Sequence, residues 1–251
     1  MTSAPVSSAP EVTPLSEPAR IVNTFVAPGK TFADIRRNAA WWGPFLITVI
    51  ISVLFVYSVD TKVGFRKVAE NQIEHSPKAA RRMEGMSRED RTHAIATQAK
   101  VGRGIAYGFP LFILLWHLIV AALLFGTLKL VLSADLSFAA TFAVTMYAAL
   151  PQVIRSLIAI LTLFAGLNPD SFNIQNPAPT NPGYFLNQAD TPFFYALGSA
   201  LDIFMIWTLL LTAIGLSVIT KKLKLSTALS VVFGWYAVFA LGSAALAAGF
   251  S

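Results

Sequence analysis

Three ionisable residues, His117, Arg155 and Asp202, stand inside stretches that are otherwise fit for hydrocarbon. A charge at mid-bilayer costs about 2.5 kcal/mol or more on insertion scales, so such residues are paired or they are used. Arg155 and Asp202 have opposite signs and can form a buried ion pair, while a neutral His117 can accept or donate one hydrogen bond beside them. Gln152 and Tyr147 add further polar groups on the same stretch as Arg155. Two readings follow. In the favoured one the pair fixes the contact between two membrane spans, and a joint charge swap restores an assembly that either single swap destroys. In the other, the five residues line a polar cavity that passes an ion, a proton or a small substrate.

Other chemistry finds no residues to carry it. The chain has no Cys, which removes disulfides, thiolate metal sites and thiol nucleophiles together. The Gly102-Arg103-Gly104 run lacks the further glycine and lysine of a phosphate-binding loop. His75 and His93 have no partner at metal spacing, and Ser52, Ser156, Ser217 and Ser243 have no base beside them in sequence. No catalytic residue, metal or cofactor is expected, and the chain does not read as an enzyme.

The elements that must position the polar residues follow from composition. Of the 251 residues 55% are hydrophobic and 13% charged, with mean hydropathy +0.61. A helix needs roughly 20 apolar residues to cross a core about 30 Å thick, so the chain has room for several crossings. The expected fold is all-α, a polytopic transmembrane bundle with spans at about 41–59, 105–132, 137–167, 193–220 and 227–250. Pro110 stands early in the second span and Pro151 near the middle of the third, which predicts a kink and a tilted or broken helix. By a rise of 1.5 Å per residue, His117, Arg155 and Asp202 fall at a similar depth, with the latter two roughly 14 to 18 Å below one surface.

Outside the spans, residues 1–18 are rich in Ser, Pro and Ala and read as a disordered tail before a single membrane domain over 19–251. Ile21, Val22, Phe25 and Val26 predict a short amphipathic surface helix stopped at Pro28-Gly29, with Thr31 capping a second short turn. The polar stretch 60–104 carries two cap signals, Ser76-Pro77 and Ser87-Arg88-Glu89-Asp90, which predict two or three short helices. The Asn- and Pro-rich stretch 168–191 has no Lys or Arg and reads as an irregular loop.

Charge sets the orientation. Lys221, Lys222 and Lys224 fill the shortest loop, which places that loop and the amino terminus in the cytoplasm and the carboxyl terminus outside. Arg36, Arg37 and Lys129 agree, whereas Lys62, Arg66, Lys67, Lys100 and Arg103 fall on the other side and oppose it. The formal net charge of +6 is spread beside apolar segments, so the expected partners are anionic lipid headgroups at the basic loops, and nucleic acid is excluded. Ala240, Ala244 and Ala248, with Gly242, allow close helix packing, within the chain or across a homo-oligomer.

Several segments resemble a known family. The run from Phe25 to Ile35, then Trp41-Trp42-Gly43-Pro44 entering the first span, is similar to the bacterial branch of the Yip family, the Ypt-interacting membrane proteins. So are Met146-Tyr147-Ala148-Ala149-Leu150-Pro151 and Leu201-Asp202-Ile203-Phe204 with Trp207, and the resemblance covers about residues 18 to 250. It implies five spans, a cytoplasmic amino terminus and a location in the bacterial inner membrane. Eukaryotic members act in membrane traffic through Rab-type GTPases. Their first-span motif is represented here by Gly43-Pro44 without its acidic residue, and their third-span motif by Tyr147 and Pro151, so GTPase binding does not carry over. The resemblance implies a non-enzymatic role in organising membranes or scaffolding protein partners; a small transporter or channel built on His117, Arg155 and Asp202 is the alternative.

Overall fold

The computed structural model describes residues 14–250, and these form helices without strands. The chain opens on a helical hairpin, α1 (Glu17–Val26) and α2 (Pro28–Ile35). Ser16 caps α1 by accepting the Ala19 N–H, so Ser16, Glu17 and Pro18 belong to the folded part, while most of the expected tail lies outside the described residues. α1 ends at Val26, just before Pro28-Gly29 as expected, with Ala27 drawn out of the helical region, and the next helix then opens on Pro28. It occupies the first turn of α2, where its missing N–H has no intrahelical partner in any case. Thr31 sits inside α2 and donates its hydroxyl to the Arg20 carbonyl (2.9 Å) instead of capping a turn.

The hairpin is not simply laid on the bilayer surface. Phe32 and Ile35 of α2 are fully buried against α7 and α10, and on α1 it is the polar Arg20 and Thr24 that are buried while Val22 and Val26 face outward. The apolar stripe of α1 is therefore split, with Ile21 and Phe25 packed on the bundle and the two valines left for lipid. Close approach of α2 depends on Gly215 of α10, where an added Cβ would lie 3.0 Å from the Phe32 ring.

The first span is α3 (Trp42–Lys62). Of the tryptophan pair only Trp42 is exposed. Trp41 turns inward and meets Phe45 and Phe142 edge to face at centroid distances of 5.7 and 5.2 Å. After the turn at Gly64, whose φ of 80° suits a residue without Cβ, come α4 (Phe65–Glu74), α5 (Pro77–Glu84) and α6 (Arg88–Gly126). Ser76 and Ser87 cap α5 and α6, as their spacing predicts; the Ser87 hydroxyl accepts the Asp90 N–H and donates to its carboxylate.

The third helix of this stretch is not a separate element. It continues unbroken through Pro110 into the second span, giving 39 residues in one helix that a π-turn extends to Val131. No stop signal separates the polar from the apolar part: the sequence changes solvent there without changing helix propensity. At 1.5 Å per residue α6 is about 58 Å long, twice the hydrocarbon thickness. Its polar amino-terminal half packs with α4 and α5 around a small core of Ala69, Ile73, Met83 and Ile95.

The third span is α7 (Phe138–Ala148) and α8 (Leu150–Phe164), interrupted at Ala149 just before Pro151. The fourth is α9 (Pro192–Ala200) and α10 (Ile203–Ile219), bent by 48° at Leu201-Asp202. Continuity was expected there, because the sequence contains no proline at the bend; a side-chain cap breaks the helix instead. The fifth is α11 (Leu225–Phe250). Among the described residues four helices are long and apolar enough to cross a membrane, five when the bent pair counts as one span.

Contacts between connections fix which of them share a side. Asn71 of α4 donates to the carbonyls of Pro169 and Phe172 (2.8 and 2.9 Å), and Lys67 pairs with Asp170 at 2.5 Å. The α3–α6 stretch and the α8–α9 loop therefore lie on one face, separated by two crossings. The hairpin packs at the opposite end, against α7 and α10.

Candidate functional site

Arg155 and Asp202 meet. Arg155 projects from α8, and its Nε donates to Asp202 Oδ2 at 3.0 Å. Asp202 is not, however, an acid midway along a helix. It caps α10 through Oδ1, which accepts the N–H groups of Phe204 (2.9 Å) and Met205 (3.2 Å), and this use of the side chain is why span four breaks there. Its other oxygen also accepts the Thr180 hydroxyl and the Asn181 amide (3.3 Å). Five donors converge on one carboxylate that is 4% exposed. The positive end of α10 adds to them, so the charge is held by local dipoles as much as by the arginine.

Thr180 and Asn181 come from the α8–α9 loop, which is irregular as expected but folds back into the bundle. Asn176 and Asn181 exchange amide hydrogen bonds (3.0 and 2.8 Å), Asn176 reaches Ser199 of α9 (3.2 Å), and the Ile203 N–H donates to the Thr180 carbonyl (3.2 Å). Gly183 makes this possible: an added Cβ would meet the Tyr195 carbonyl at 2.6 Å and the Ser199 backbone nitrogen at 2.5 Å. The loop thereby fills the notch that the bend opens, and its polar side chains replace the water that a broken span would otherwise admit.

The remaining sequence candidates scatter. Gln152, one turn from Arg155 on α8, donates to Thr208 of α10 at 3.2 Å. His117 stands alone on α6, its buried Nδ1 without a hydrogen-bond partner. Tyr147 belongs to a different cluster at the other end of the bundle, where its hydroxyl donates to Glu17 Oε2 at 2.5 Å.

That second cluster was not foreseen. Arg20, 2% exposed, donates to Glu17 (3.1 Å) and to Asp34 (2.7 Å), and Arg37 donates to the other Asp34 oxygen at 2.5 Å. Burial by itself would raise the Asp34 carboxyl, but hydrogen bonds from Arg37, Arg20 and the Leu15 backbone outweigh it and hold the group below its ordinary value. Burial likewise works against the charge on Arg20, yet the hydrogen bond to Asp34 prevails and its pKa is raised. Both partners are thus locked in their charged forms. A signal was present: Glu17 and Arg20 are three apart on the face of α1 opposite Val22 and Val26, and Asp34 is the one acid between Pro28 and Asn38.

Two of the motif residues, Gly43 and Tyr147, meet at this cluster. Gly43 has no Cβ where the Glu17 carboxylate lies, and a methyl group there would overlap Oε2. Pro44 is buried in the first turn of α3, and Pro151 follows the α7–α8 break that ends the helix carrying Tyr147. Gly43 and Tyr147, distant in sequence, therefore seat one carboxylate of the hairpin. Among the described residues no group of three or more His, Asp or Glu could hold a metal ion.

Comparison with curated proteins and with solved structures gives no match. A family model described as the Yip1 domain matches residues 22–248, a span that runs from the middle of α1 almost to the end of α11. With its apolar spans, its buried hairpin and its motif residues placed in one bundle, this multi-pass membrane protein belongs to the Yip1-domain family.

Proposed function

We propose that the protein is a non-enzymatic organiser of the bacterial inner membrane, a scaffold that holds protein or lipid partners. The observation that carries this reading is α6, whose amino-terminal half lifts α4 and α5 clear of the bilayer as a platform with its own core. Lys78, Arg81 and Arg82 lie exposed on one face of α5, three and four residues apart, while Met83 points into that core. Such a platform is suited to contact rather than to chemistry. The alternative of a small transporter needs an acid free to titrate or to bind a cation, and Asp202 is already taken by five donors.

The proposed orientation keeps the amino terminus and its hairpin in the cytoplasm, with Lys129 and the Lys221–Lys224 turn, and places the platform and the carboxyl terminus outside. Three of the basic residues that oppose it have acidic partners in the fold: Arg66 with Glu70, Lys67 with Asp170 and Arg103 with Asp60. Anionic headgroups at the basic loops and homo-oligomer contacts through the small residues of α11 remain part of the proposal. The chain has no Cys, so single cysteines at Ser226 and Asn187 are unique reporters. A membrane-impermeant maleimide added to intact cells should label position 187 and spare 226; the reverse pattern overturns the orientation. For function, photo-crosslinkers at Arg82 and Thr97 should trap discrete partners, and vesicles holding the purified protein should show no ion or proton flux. Flux that disappears in Asp202→Asn would establish the transporter instead.

A further inference from the structure

The seam where α4 meets the α8–α9 loop holds a cleft of about 260 Å³. His75 at the end of α4 lines it, Phe172 and Pro177 line it from the loop, and Tyr184 and Tyr195 come from the short turn before α9 and from α9 itself. The fold ties these walls to one another. Asn71 of α4 donates to the Phe172 carbonyl at 2.9 Å, and the Asn173 amide donates to the Tyr195 hydroxyl at 2.9 Å. A ligand entering there meets groups already in place, so little of its binding energy goes into ordering the protein. Leu167, just past the end of α8, is also in the lining, which sets the cleft where a span leaves the hydrocarbon.

The chemistry of the lining narrows the ligand. It contains no Lys, Arg, Asp or Glu, so a charged group would be desolvated there with no opposite charge to meet it. Its aromatic rings and Pro177 offer apolar surface, and its free polar groups are few. The amides of Asn173 and Asn176 are already spent on Gln188, Tyr195, Asn181 and Ser199. Three neighbours keep capacity. His75 Nδ1 lies 2.6 Å from the Asn71 carbonyl oxygen and carries the ring proton there, so in the neutral ring Nε2 is left as an acceptor. Ser171 donates its proton to the Asn168 carbonyl at 2.9 Å and can still accept. The Tyr184 hydroxyl has no partner among the described residues and can both donate and accept.

We propose that the cleft binds one uncharged, hydroxylated ring with the size and chemistry of a single sugar. The C–H face of the ring lies on the aromatic walls, and its hydroxyls exchange hydrogen bonds with Tyr184, Ser171 and His75. The volume suits one such ring, being below the roughly 300 Å³ at which pockets for drug-sized ligands begin. A free monosaccharide and the sugar headgroup of a glycolipid present this same surface, and a position at the end of a span is open to either. The site is independent of the scaffold reading, since it needs only α4 and the α8–α9 loop as folded.

The test uses the full-length protein in a polyoxyethylene detergent, which carries no sugar. Binding is read by titration calorimetry, because sugars raise the melting temperature of proteins in general by exclusion from their surfaces. The probes are glucose, N-acetylglucosamine and octyl glucoside below its micellar concentration, with choline and inorganic phosphate as charged comparisons. Saturable binding of either free sugar identifies a soluble ligand, and binding of octyl glucoside alone identifies a headgroup. Tyr184→Phe removes a hydroxyl that no other described residue uses, so the fold is kept and sugar binding should weaken about three- to tenfold, the loss of one hydrogen bond. Leu186→Trp adds bulk to the lining at an exposed position and should abolish binding. Absence of saturable sugar binding, binding of choline or phosphate in its place, or sugar binding unchanged in both variants overturns the proposal.

Discussion

Exchanging the charges of Arg155 and Asp202 separates an ion pair from a cap. If the two residues met only as opposite charges, Arg155→Asp together with Asp202→Arg would restore what either change removes. The geometry says otherwise, since Asp202 also accepts two backbone N–H groups and two loop side chains. An arginine there accepts nothing. The swapped protein regains its ion pair but loses an N-cap worth about 1 kcal/mol. It also leaves Thr180 and Asn181 without their acceptor, at about 1 kcal/mol each. Roughly 3 kcal/mol should therefore stay missing, and at about 2–4 °C per kcal/mol for a chain of this size the double variant should melt roughly 6–12 °C below the parent. Asp202→Asn gives the complementary result. Asn caps nearly as well as Asp, so its deficit comes mainly from stranding Arg155, a cost of about 3–5 kcal/mol for a fully buried partner and less here because the guanidinium is partly accessible. Unfolding of the parent, the two single swaps, the double swap and Asp202→Asn in one detergent, followed by intrinsic tryptophan fluorescence, gives the cycle and its complement. A swapped protein as stable as the parent would refute the capping role of Asp202.

Three further outcomes follow from the packing. Tyr147→Phe removes the hydroxyl that serves Glu17 Oε2 and should cost about 1–3 kcal/mol, read as faster hydrogen exchange in α1 with α8 unaffected. Gly183→Ala drives a methyl into backbone that cannot yield, and should lower stability by about 1–3 kcal/mol and expose 176–183 to proteolysis. The Asp34 carboxyl is depressed in the folded state, so its contribution is whole above the unfolded value near 3.9 and is lost as pH falls through the lower, folded one. A dye on a cysteine at the exposed Val26 should accordingly report a steady hairpin from pH 8 to 5 and release only below about pH 4; release near pH 6 would assign the lock to another group.

The amino-acid sequence by itself determined that the chain crosses a membrane as helices, because burying twenty-odd apolar residues with their backbone bonds satisfied has few other solutions. It also marked out the apolar helices, four of them long enough to cross a membrane and a fifth when the bent pair counts as one span, and the two capped helices of the polar stretch, since apolar length and Ser-first caps are local properties. It singled out Arg155 and Asp202 because charge in hydrocarbon is conspicuous in a linear string. Only the tertiary structure decided what those groups do. Asp202 breaks span four by capping Phe204 and Met205, but filling its other oxygen takes Arg155, Thr180 and Asn181 from separate segments, and the seat of Glu17 depends on Gly43 and Tyr147, the latter 130 positions away. The hairpin shows the same division: its helical period was plain, but which face is buried was set by Arg20, Asp34 and Glu17 saturating one another, a compensation between separate segments that no single stretch of sequence displays.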